Sequence, residues 1–195
     1  MGFAITVRPA LSSDADGIAQ VHLQAWREAY VHLLPAETLA GLDLSERTAR
    51  WASILAEGGT EVFVALEGTR VVGWASASAG RDPDAPRARE LEGIYVLASH
   101  HGSGAGQGLL DASIGVEPAF LWVAEGNPRA LAFYRRNGFA PDGVVTSKPL
   151  AGTPVVRAPR PVGSLAAVLP DGVLRDYVSR CGIAHGRRWR SRQRD

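Results

Sequence analysis

The chain has 195 residues, 46% hydrophobic and 21% charged, the balance of one globular domain rather than of a disordered or fibrous protein. No apolar run approaches the roughly 20 residues that cross a bilayer. The start also lacks a basic stretch followed by an apolar block, so a cytoplasmic protein without membrane contact is expected. A single Cys excludes a disulfide framework, and the histidines have no metal-binding spacing. Net charge is +1 but uneven, because residues 175–195 hold seven Arg against two acidic residues.

Residues 4–8 alternate as a short strand that Pro9 should end. Ser13 or Asp14 can cap a helix running to about Tyr30, with Ile18, Val21, His22, Ala25 and Ala29 at helical spacing. A second helix is expected over 45–57, ahead of Gly58 and Gly59. Residues 61–66 and 70–79 are β-rich, and Glu67-Gly68-Thr69 between them reads as a hairpin turn. Two prolines and several charges make 80–89 an exposed loop. A strand at 90–97, a Gly-rich turn, a helix at about 104–114, a strand at 119–124 and a helix at 128–137 follow. Weaker strands are expected at 142–147 and 154–157. Val173, Leu174, Tyr177, Val178 and Cys181 form an amphipathic stretch, expected to dock on the domain or to join a homodimer.

The turn His101-Gly102-Ser103-Gly104-Ala105-Gly106 follows a strand and opens a helix. Glycines allow positive φ and close backbone approach, so its N–H groups can converge on an anion beside the helix N-terminus. A Walker loop requires Gly-Lys-Ser/Thr, and no Lys is present. A dinucleotide fingerprint requires a third Gly where Gln107 or Leu109 stands.

What remains is Q/R-x-x-G-x-G/A with His101 in first place, and this resembles the acetyl-CoA loop of the GNAT superfamily of N-acetyltransferases. Glu90-Leu91-Glu92-Gly93-Ile94-Tyr95-Val96 resembles that family's fourth strand. The run from Asn127 to Phe139 is similar to its second signature, N-x-x-A-x-x-F-Y-x-x-x-G-F. Residues 25–30 with Leu34-Pro35 look like its first helix and acceptor loop. Ala98 stands where the family often has Pro, and Gly108 where it often has Ala.

The resemblance implies an α/β (α+β) fold with a mixed, mostly antiparallel sheet flanked by helices and splayed at the fourth and fifth strands. It covers residues 1–160 as an acetyltransferase domain and leaves 161–195 as an extension. It implies acetyl-CoA as cosubstrate, an amine as acceptor, and a direct transfer in a ternary complex. Tyr95, Val96, Leu97, His101, Gly102, Ser103, Gly104, Ala105, Gly106 and Asn127 are expected to hold the cofactor, with backbone N–H groups at 95–97 facing the thioester carbonyl. Glu90 matches the family's base by its offset from the Gly loop, and Glu92, two residues along the strand, is the alternative. Tyr134, seven residues after the N-cap Asn127 and on its face, is expected to protonate the thiolate. Trp26 and Tyr30 are candidates for acceptor contact. Two other readings stay open: a module that binds acyl-CoA without chemistry, and a nucleic-acid binder acting through the Arg-rich tail.

Overall fold

In the computed structural model, the described residues are 4–147 and 153–161. The amphipathic stretch and the Arg-rich tail lie outside them.

A seven-stranded sheet in the order β1-β2-β3-β4-β5-β7-β6 is the frame of the molecule. Its strands are β1 (Ile5–Pro9), β2 (Glu61–Glu67), β3 (Arg70–Ala79), β4 (Arg89–Val96), β5 (Ala119–Ala124), β6 (Val145–Thr146) and β7 (Val155–Arg160). All neighbours are antiparallel except β4 and β5, which run parallel. The helices are α1 (Ala15–Tyr30), α2 (Ala36–Ala40), α3 (Leu44–Glu57), α4 (Ala105–Ser113) and α5 (Pro128–Arg136). The mixed, mostly antiparallel sheet flanked by helices is the expected fold.

Local chemistry accounts for most boundaries. β2 and β3 are joined by Gly68 and Thr69, and Gly68 takes φ +60°. Such a tight turn needs a residue with no Cβ penalty at positive φ. Asp43 caps α3 by accepting the Glu46 amide, and Gly58 ends it in the left-handed region at φ +70°. Pro9 ends β1 from inside the strand, paired with Phe63 as the last residue of an edge strand. A proline is tolerated there because one side of the ladder needs no donor. Asp14 does not cap α1 with its side chain. Its carboxylate instead accepts from the Leu11 amide and from Arg8, whose guanidinium holds it below the ordinary carboxylate range.

Three apolar clusters form the core of the described residues, and two of them lie on either side of the junction between β4 and β5. One joins Ile18, Trp51, Val64, Trp74 and Leu109, and the other joins Leu91, Leu110, Leu121, Tyr134 and Phe139. Between them β4 and β5 pair only at Arg89–Ala119 and Glu90–Phe120. Beyond that point the two strands part, and the sheet forks.

Candidate active site

The fork opens a cleft of about 730 Å³ whose walls include Glu92, Tyr95 and Val96 from β4, Trp122 from β5, Asn127 and Tyr134 from the α5 region, and Tyr30 from α1. The Leu97 amide donates to the Val72 carbonyl at 3.0 Å, which closes the β3–β4 ladder there. Alternation along an antiparallel pair then turns the Tyr95 amide toward β3 as well, and the Ile94 and Val96 amides toward the fork. Leu97 is buried and absent from the cleft wall. Its expected amide contact with a ligand is therefore corrected: that donor belongs to the sheet. Val96 carries the strand's open amide.

The loop after β4 has the conformation its glycines allow. Gly102 and Gly104 take φ +81° and +89°, and a Cβ on either would meet only open space. The first amides of α4 have no carbonyl partner within the helix. Ser103 Oγ takes one of them, accepting from Ala105 at 3.3 Å while donating to the His100 carbonyl at 2.7 Å. Ser103 and Ala105 thus shape the loop from outside the cleft, while His101, Gly102, Gly104 and Gly106 line it. His101 Nε2 lies 3.1 Å from the Val96 carbonyl, and Nδ1 meets Arg129 Nη1. Arg129 and Arg136 also line this end.

Asn127 caps α5 by accepting the Ala130 amide at 3.0 Å, and Gly138 closes the helix at φ +81°. Tyr134 on that helix is 9% exposed and lines the cleft. Burial pushes its phenol well above the ordinary tyrosine range, the Tyr95 phenol adds to this, and the Ile94 backbone opposes it. The opposing contact agrees with the Ile94 amide that turns into the fork. Tyr30 and Tyr95 hydroxyls meet at 3.1 Å, and burial raises both.

The two candidate carboxylates part company. Glu90 is 4% exposed, stays outside the cleft wall and takes a fork of bonds from Arg81, at 2.9 Å from Nη2 and 3.2 Å from Nε. Glu92 lines the cleft and accepts from Ser76 Oγ at 3.0 Å and Ser78 Oγ at 2.9 Å. The expected shared face holds: Glu90 is paired with Ser78, Glu92 bonds Ser78 and Ser76, and both reach Arg81, while a register slip between Ser76 and Ala77 leaves Glu92 as the extra residue of a bulge.

Sequence reasoning missed Arg81 and Asp82, since no periodicity fixes where a charged loop folds back. It also missed Glu28 and Arg129 as cleft residues, although Glu28 sits between the cleft-facing Ala25 and Ala29 on α1. Trp26 does not reach the cleft wall, whereas Tyr30 does.

Residues 23–139 match the model of the acetyltransferase (GNAT) family. The uncharacterized N-acetyltransferase YuaI of Bacillus subtilis is 34% identical over 147 residues, which span 72% of this chain and 82% of that protein. A probable N-acetyltransferase of Mycobacterium tuberculosis, Rv2775, is 28% identical over 77% of this chain and 89% of its own. Among solved structures, the PaiA N-acetyltransferase of Thermoplasma acidophilum in complex with coenzyme A superposes with a TM-score of 0.61 at 14% identity, over 80% of this chain and 98% of that one. Sequence family, relatives and fold agree with the chemistry assembled in the fork: this chain belongs to the GNAT family of acetyltransferases.

Proposed function

We propose that this acetyltransferase takes its acetyl group from acetyl-CoA and delivers it to a primary amine, on a small molecule or a protein, by direct attack. We assign the activity to residues 1–160. The observation that carries the reading is the convergence of an anion-ready glycine loop, a carboxylate and a protonated phenol on one cleft at the fork of the sheet.

The cosubstrate's diphosphate suits the loop end. Gly102 and Gly104 leave room for close approach, the N-terminus of α4 contributes its partial positive charge, and Arg129 and Arg136 add two cations. Acetyl-CoA supplies the thioester carbonyl, and the Val96 amide is the strand donor available to orient it. Glu92 takes the amine's proton through water. It suits that role better than Glu90, whose carboxylate Arg81 covers. Tyr134 holds its proton at neutral pH and gives it to the departing sulfur.

Thiol release from acetyl-CoA against a panel of primary amines tests this reading. Calorimetry with acetyl-CoA separates cofactor binding from turnover. Glu92→Gln is expected to lower kcat by roughly 10²-fold with cofactor affinity retained. Full turnover in Glu92→Gln would remove the base from the scheme.

A further inference from the structure

The loop between β3 and β4 does more than connect them. Its consecutive residues Arg81 and Asp82 reach the two prongs of the fork separately. Arg81 Nη1 stands 3.5 Å from Glu92 on β4, and Asp82 accepts the Trp122 indole N–H on β5 at 2.8 Å. Glu92 and Trp122 lie two positions past Glu90 and Phe120, the last pair that joins the strands. The loop therefore straps the cleft at the point where the ladder ends.

The contacts of Arg81 are unequal. Its Nε and Nη2 bind the buried Glu90 as a fork, the strong form of a guanidinium–carboxylate pair. Its reach to Glu92 is single and longer, from a side chain that is 64% exposed. The contact with Glu92 is thus the one that yields. If it does, Glu92 keeps both serine hydroxyls. Asp82 keeps the loop on Trp122, so Arg81 can withdraw by a rotamer change alone. Glu90 and Glu92 thus share one guanidinium, that of Arg81.

We propose that Arg81 is a placeholder for the acceptor's ammonium group, occupying the cation position at Glu92 until an incoming alkylammonium takes it, while Glu90 retains the guanidinium. The inference rests on the reading of Glu92 as the carboxylate that meets the amine. It makes Arg81 a specificity-determining residue. Amines that arrive charged compete for Glu92, whereas aromatic amines, neutral at pH 7, leave Arg81 where it is.

The two residues that set the placeholder have opposite expected effects. Arg81→Gln clears the position. Glu90→Gln frees the guanidinium to close on Glu92. The full chain, saturated with coenzyme A, is titrated with n-butylamine at neutral pH by calorimetry, with n-butanol as the uncharged control. Arg81→Gln should tighten butylamine about twofold to fivefold, the scale of one exposed charge contact, and leave butanol unchanged. Glu90→Gln should weaken butylamine by a similar factor, and the double variant should match Arg81→Gln alone. Unchanged or weaker butylamine binding in Arg81→Gln overturns the proposal. So do equal gains for butanol, effects of the same sign in both single variants, or no amine binding in any form. Turnover is read separately, so a protein that shows these shifts but acetylates nothing refutes the transfer reading and leaves the placeholder standing.

Discussion

Glu28 on α1 accepts the backbone amide of Ala98 at 2.9 Å, which ties the first helix to the turn that leaves β4. A proline, frequent at this position in the family, has no N–H to satisfy. Here the extra donor is met by a carboxylate from another element. Leu97 before it has φ −54° and ψ 142°, the extended conformation that a residue preceding proline adopts. Ala98→Pro should therefore fold normally. Glu28→Ala should cost about 1 kcal/mol in the wild-type background and much less beside Ala98→Pro. Urea unfolding of the four proteins measures this coupling, and equal losses in both backgrounds would deny it.

Tyr134→Phe removes one oxygen and keeps the ring against Phe133 and Phe139. Turnover with a responsive amine is expected to fall by roughly 10²-fold, with little change in cofactor affinity. Because burial holds the phenol above its ordinary range, the wild type should show no loss of rate from Tyr134 ionisation up to pH 9. A wild-type rate in Tyr134→Phe, with chemistry limiting, would assign the proton to water.

Gly104 takes φ +89° with open space where a Cβ would project. Gly104→Ala should cost about 1–2 kcal/mol through backbone strain alone. The strain falls on the loop that presents the α4 amides, so acetyl-CoA affinity should drop with it. Gly104→Val should abolish binding, and calorimetry on the folded variants checks both.

His22 is packed among Trp26, Trp51, Trp74 and Tyr95, and its Nδ1 faces the Trp51 indole N–H at 3.3 Å. Burial lowers its pKa to about 3, with Arg47 and Arg50 adding to the effect. The unfolded chain protonates this side chain below about pH 6.5, and the folded one refuses the proton until far lower. Stability is therefore unaffected by His22 above pH 6.5 and falls as pH drops from there toward 3, by roughly 5 kcal/mol in all. In His22→Gln the decline between pH 6.5 and 4 should be shallower than in the wild type, as read from urea midpoints. Parallel slopes would place the acid sensitivity elsewhere.

Much of this fold could be read from residue spacing. Asn127, Pro128 and Gly138 bracket α5 through local capping chemistry, and Gly68 fixes the hairpin through one backbone conformation. The glycine loop was legible for the same reason. What escaped depended on distant partners. Gly108 stands where the family often has Ala, and a Cβ there would sit 3.1 Å from a Val7 methyl of β1, so that side chain would have to give way. The difference between Glu90 and Glu92 turned on Arg81, a loop residue whose bonds to Glu90 leave no mark in the alternation of β4 itself. The short α2 has too few turns to show a period.

Because the ladder between β4 and β5 stops at Glu90 and Phe120, the far ends of these strands behave as the tines of a tuning fork, fastened at the stem by that pair and by the Arg81–Asp82 strap just beyond it. The gap can widen or narrow by bending, with no ladder bond between the two strands broken. The deformation grows with distance from the stem, so it is least beside Trp122 and Glu92 and greatest where Val96 and Ala124 end their strands. The carboxylate near the stem is thus the part of the cleft that such bending moves least.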